Sequence, residues 1–302
     1  MPGLHLAAAA IPQAPTDAAS AAAHGFQPFT ATHAAILLGW VALLAAAVSW
    51  ARRLRRLDRA APRSGSRSAS RAKRFTNALG LLGIAAAVAN VAYWLLPGVF
   101  ALSKSLPLHV CDLTLFVLPI ALLTGARWAL AVLWFVGVGL SSQGLLTPVT
   151  RAAPDTAEFW LFWISHGGVV GAGLYLVFAL GYRPTLRDFR TAIIFMTTYL
   201  FAMLALNIPT GWNYGYVGAA TPDQETIITA LGPWPWRLLP LSALAALGMF
   251  LLMLPFLGPW GAALRRSLPA DFIDSPRRST APANATPANA APPSAAPAER
   301  NA

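Results

Sequence analysis

LPLHVCDLTLFVLPIALLTG, residues 106–125, is mostly hydrocarbon after its first seven positions, and those seven hold His109, Cys111 and Asp112. About 20 apolar residues in a helix cross the ~30 Å hydrocarbon layer of a bilayer, and a helix satisfies its own backbone hydrogen bonds there. The stretch therefore reads as a membrane span with three ionisable side chains at its head. Six further stretches of the same kind flank it, at 32–51 and 76–100 before it and at 127–147, 158–181, 189–208 and 236–257 after it. No segment alternates apolar and polar residues at period two, the pattern of an outer-membrane barrel. The expected fold is all-α: a polytopic membrane protein, a bundle of about seven transmembrane helices.

Composition agrees with that fold. Of 302 residues 56% are hydrophobic and only 11% are charged, too apolar a balance for a water-soluble domain of this length. The net charge of +11 does not indicate nucleic acid, because the basic residues follow the loops and do not interleave with aromatics in one patch. Nineteen of the twenty-two Lys and Arg fall in 52–74, at Arg127, in 182–190 and after 257. Lys104, Arg151 and Arg237 fall on the opposite side. This positive-inside asymmetry places the N-terminus outside and the C-terminus in the cytoplasm of a multi-pass cell-membrane protein, as in a bacterial inner membrane. The first residues, MPGLHLAAAAIPQAPTDAAS, lack the basic head of a cleaved signal peptide.

Residues 1–30 read as a disordered Ala-rich extension, 31–265 as the membrane domain with a solvated basic loop at 52–74, and 266–302 as a disordered Pro/Ala-rich tail. Trp94, Trp128, Trp160, Trp163, Trp212, Trp234 and Trp236 gather near predicted span ends, as headgroup-level belts do. The run HGGVVGAG brings Gly167 and Gly171 into position for close helix approach.

Depth sorts the polar residues. At ~1.5 Å rise per residue, Cys111 lies roughly 6 to 8 Å and His166 roughly 12 Å from the outer ends of their spans. Gln143, with Ser141 and Ser142, ends the fourth span, and Asn207 ends the sixth. Polar groups from four helices thus converge on one third of the bundle, where they face a cavity and not lipid. Ionisable groups at membrane depth are functional candidates, although a His109–Asp112 contact at i,i+3 could equally serve only to lock helices together. Ser105 and Pro107 read as the start of the third helix. Cys111 then sits in an early turn, where the positive helix end favours a thiolate. An imidazole on another span could take its proton, the Cys–His arrangement of nucleophilic acyl transfer. His109, at i−2, points elsewhere, so His166 is the expected partner. A single cysteine excludes an internal disulfide and a Cys-only metal cage.

Four segments, LPLHVCDLTLFVLPIALLTG, FWISHGG, LNIPTGWNYGYV and LGPWPWRLL, resemble in order the signature segments of the YwaF-like integral membrane proteins, relatives of the eukaryotic transmembrane protein 164 family. The resemblance runs over roughly 76–257. It implies a glycerophospholipid acyltransferase with a cysteine nucleophile. Cys111 matches the nucleophile position and His166 the partner histidine, while Asn213 and Tyr214 fall in a segment of unassigned role. The expected chemistry is attack of Cys111 on an acyl ester with His166 as base, and Asn207, Gln143 or Asn213 as oxyanion donors. Membrane lipids are the expected partners, with a phospholipid as substrate, and no cofactor or resident metal is called for. Three rival readings stand beside it. One is a transporter or proton-coupled carrier using His109, Asp112 and His166; another is metal binding by the same three residues; the third is a purely structural role.

Overall fold

Four spans open on a hydroxyl. Thr30, Ser70, Thr156 and Thr185 each accept, through the side chain, the backbone N–H three positions on, which satisfies a donor of the first turn that has no carbonyl partner. They start α1 (Ala31–Ala60), α2 (Arg71–Trp94), α5 (Ala157–Phe178) and α6 (Leu186–Thr210). Between them lie α3 (Val110–Thr124) and α4 (Arg127–Leu146), and α7 (Leu238–Met253) ends in a 3-10 turn. The computed structural model describes residues 25–61, 70–219, 230–259 and 261, and no strand occurs among them. The fold is the expected all-helical bundle.

Six of the helices are long and apolar enough to cross a membrane; α3, with 15 residues, is the short one. At ~1.5 Å per residue it spans roughly 22 Å of a ~30 Å layer, so one of its ends stops inside the bundle. That end is its N-terminus. Ser105 and Pro107 do not start the helix. The Asp112 carboxylate accepts the His109 backbone N–H at 3.2 Å and makes His109 the flanking residue. The preceding turns are held by Tyr214, whose hydroxyl donates to the Leu102 carbonyl at 2.7 Å and accepts from the Leu106 N–H at 3.0 Å.

Other boundaries also differ from expectation. The second span ends at Trp94 and not at 100, and the chain then turns through Gly98 at φ 84°. Much of the expected basic loop is helical, with α1 running to Ala60 and α2 starting at Arg71. Phe26 is buried against His33 and Trp163, so the packed chain begins before residue 31. Trp163 is itself fully buried and belongs to no belt. Residues 1–24 of the N-terminal extension, 62–69 of the basic loop and 262–302, which hold the tail, lie outside the described residues.

The bundle is built around α4, buried continuously from Ala129 to Val138. Its middle, Leu133–Val138, is a π-helical segment. The wider turn holds an extra residue and rotates everything after it relative to an unbroken α-helix. Large apolar side chains such as Leu38, Leu82, Ile194 and Phe201 cover the outer surface, the arrangement lipid permits. Where α2 meets α3, a Cβ at Gly83 would lie 2.4 Å from Leu118 Cδ2, so any larger residue there would make that leucine side chain move aside.

The two ends of the bundle differ. At one end the basic residues serve the helix C-termini: Lys73 Nζ donates to the Leu122 and Leu123 carbonyls, Arg52 to Phe178 and Arg55 to Ala179. At the other end α3 and α5 begin, α2 and α4 finish, and the polar constellation assembles.

Candidate active site

Cys111 is the second residue of α3, so the partial positive charge of the helix start lies beside its sulfur. The first turn is fixed on both sides. Asp112 receives the His109 N–H with one oxygen and the Asn90 side-chain N–H from α2 with the other, at 3.2 Å. Thr114 donates its hydroxyl to the Cys111 carbonyl at 2.9 Å, and the buried Ser141 of α4 donates to Sγ at 3.6 Å. Cys111 as a residue is nevertheless only partly buried.

The imidazole of His166 arrives from α5. Its Nδ1 lies 2.8 Å from the Phe162 carbonyl oxygen, one turn earlier in the same helix. A carbonyl only accepts, so Nδ1 carries a proton and Nε2 is the nitrogen left bare whenever the ring is neutral. The Phe162 ring lies 4.3 Å from the imidazole, centroid to centroid. Gly144 of α4 also stands against the ring, where a Cβ would come within 2.3 Å of Cδ2 and 2.8 Å of Nε2. Only glycine admits the ring there. Held this way, His166 lines the same cavity wall as Cys111, and the two side chains interact.

The pair opens into a cavity of about 460 Å³ whose wall includes Asn90, Lys104, Asp112, Arg151, Glu158 and Tyr216. Charges of both signs line it, together with hydroxyl and amide groups. The Tyr216 hydroxyl, in the turn after α6, is pushed above its ordinary range by burial and by the nearby thiol and carboxylate. It stays protonated and remains a donor.

The sequence matches the model of the TMEM164 family over residues 28–253. The chain belongs to the TMEM164 family. The match takes in all seven helices, from just before α1 to the last residue of α7, and includes both Cys111 and His166. Together with six membrane-length apolar helices it makes the chain a multi-pass membrane protein. Among curated proteins and solved structures, none matches it significantly.

The other residues singled out in this TMEM164 family member divide into two groups. His109 and Asp112 stand at the cavity, and the hydrogen bond between them runs from the His109 backbone N–H to the Asp112 carboxylate. The His109 ring lies 5.4 Å from those of Tyr214 and Tyr216, and its Nδ1 takes a long 3.4 Å bond from the Gly215 N–H. Gln143 lines a neighbouring cavity that Cys111 also borders. Asn207, Asn213 and Tyr214 lie in neither wall. Both ends of the Asn207 amide pair with the Tyr214 peptide, at 2.8 and 3.0 Å, and Asn213 Oδ1 accepts from the Gly218 N–H at 2.9 Å. They build the loop that carries Tyr216. Asn90, Gly144 and Tyr216 went unnoticed in the sequence; an isolated Asn in an otherwise apolar span was the one available signal. Among the described residues no three His, Cys, Asp or Glu side chains form a group that could hold a metal ion.

Proposed function

We propose that this protein is a membrane acyltransferase, related to the YwaF-like proteins, that moves a fatty-acyl group between glycerophospholipids through a thioester on Cys111. One observation carries the reading: the thiol shares a cavity wall with an imidazole whose Nδ1 proton is held by the Phe162 carbonyl. A base must offer a lone pair on the side of the nucleophile, and the nitrogen left free by that carbonyl can supply one.

In the first half-reaction Nε2 of His166 takes the thiol proton and Sγ attacks the ester carbonyl. The C–S bond forms, the ester C–O bond breaks, and the imidazolium returns its proton to the departing alkoxide, leaving a lysophospholipid. In the second half His166 takes the proton of an acceptor lysophospholipid hydroxyl. The new alkoxide attacks the thioester, a C–O bond forms, and the thiolate leaves to recover its proton. The developing oxyanion is met by the Cys111 backbone N–H, a first-turn donor without an intrahelical acceptor, and by the Tyr216 hydroxyl. One such donor contributes about 3 to 4 kcal/mol to transition-state stabilisation. Asn207, one of the three amide donors expected from the sequence with Gln143 and Asn213, is committed to the Tyr214 peptide.

The basic end faces the cytoplasm in this reading, which sets the N-terminus outside and opens the cavity toward the outer leaflet of a bacterial cell membrane; the nineteen clustered Lys and Arg support that orientation. Membrane lipids are the partners, and nucleic acid is not. The test is lipidomics of membranes carrying the protein or its Cys111→Ala form. A shift in acyl distribution that needs the thiol supports the assignment, and the same shift in both forms overturns it.

A further inference from the structure

Cys111 stands in the wall between two cavities of opposite character. The polar one is described above. The second, about 380 Å³, lies among α3, α4, α6 and α7, and its lining is mainly apolar: Val110, Leu140, Met196, Leu200, Ala246 and Met249. His109, Cys111 and Tyr216 border both spaces. Thr197 of α6 and Ser242 of α7 are exposed at its edge, so it opens sideways between these two helices onto the lipid-facing surface.

Resting on the acyl-transfer reading, we infer that this lateral cavity holds the fatty-acyl chain of the donor lipid while the polar cavity holds its headgroup, with the ester carbonyl presented to Sγ at the shared wall. A diacyl lipid has this division of chemistry on either side of its ester. A chain entering from the bilayer exchanges one hydrocarbon surrounding for another, so burial alone contributes little. Shape must then select the chain, and Ala245, Ala246 and Met249 are the residues through which α7 lines the space beyond Leu241 and Ser242. A third space, about 370 Å³ and also apolar, lies among α1, α2, α3 and α5, bordered by Gly168 and Gly171. Its nearest α3 residue is Leu115, a full turn past the thiol, and Cys111 is not in its wall. It therefore serves as the internal control.

The experiment uses the full-length protein in liposomes with dihexanoyl or dioleoyl phosphatidylcholine as donor, and reads hydroxylamine-sensitive acylation of Cys111 by intact-protein mass spectrometry. Ala246→Phe, and the milder Ala245→Leu, are expected to slow acylation from the long-chain donor at least tenfold and leave the short-chain donor within twofold. Gly168→Leu, which projects into open space in the control groove, is expected to change neither. Long-chain acylation that survives both alanine variants, or that is lost in Gly168→Leu, overturns the placement of the chain alone. Wild-type protein that forms no thioester from either donor overturns the acyl-transfer reading itself.

Discussion

Both ends of this bundle bury polar groups, but they use them differently. At the basic end every described partnership closes on itself. Arg127 meets Asp188 with two hydrogen bonds of 2.8 and 2.7 Å, Asp188 also takes the Thr185 N–H and hydroxyl, and Lys73, Arg52 and Arg55 end on helix carbonyls. At the other end Asn90, Asp112, Thr114 and Ser141 are likewise satisfied, yet they surround a thiol that borders two cavities and an imidazole that lines one of them. Polar groups at membrane depth are expensive in either place. What separates structure from chemistry is whether the partners consume the reactive atoms.

The largest effect should come from the sulfur. Cys111→Ala is expected to abolish acyl exchange, a loss of at least about 10³-fold, as removal of a nucleophile does. Its thermal unfolding in detergent should stay near wild type. A variant that unfolds early would move Cys111 into the structural class. Next is Gly144→Ala, which leaves both reactive groups in place but drives a methyl into the imidazole edge. Displacing a positioned base by about 1 Å costs on the order of 10²-fold. Acyl exchange should fall by that much while iodoacetamide still alkylates the thiol. If exchange is unchanged, the ring does not act from this position. Asp188→Ala is the counterpart at the basic end. It removes a cap and an ion pair whose arginine is 37% exposed, so about 2 kcal/mol of stability should be lost. Exchange per folded molecule should be preserved, and a loss of activity beyond the folded fraction would erase the contrast between the two ends.

How much of this was legible in the sequence follows from what lipid enforces. Span number was readable because the bilayer demands long apolar helices, and the placing of Cys111 and His166 at one level, where they line one cavity, was readable because depth along two helices needs only the rise per residue. Rotation about the helix axis was not readable. Asn90 faces Asp112 and Gly144 faces His166 only because of how α2 and α4 are turned, and the π segment at Leu133–Val138 changes that phase in α4 with no proline or charge to mark it. The start of α3 was misplaced for a related reason. Ser105 and Pro107 suit a helix start locally, but the cap that forms depends on Asp112 reaching back to His109, and the preceding turns hang on Tyr214 from a distant loop.

Ser141 tests the comparison most finely. Its hydroxyl lies 3.6 Å from Cys111 Sγ and 3.5 Å from Thr114 Oγ1. Thr114 has spent its proton on the Cys111 carbonyl, so Ser141 must be the donor in whichever contact it makes, and it has only one proton to give. A long sulfur bond of this kind contributes about 1 kcal/mol, which predicts a roughly fivefold slower acylation of Ser141→Ala in single-turnover measurements with little change in stability. Thr114→Val, which removes the competing acceptor, should leave that rate within twofold. A loss near 10²-fold for Ser141→Ala would instead mean that this hydroxyl turns from the sulfur to the oxyanion as the thioester forms, the size expected of an oxyanion donor, and Ser141 would then join Tyr216 in the reacting machinery. No loss at all would place it with the closed partnerships of the basic end.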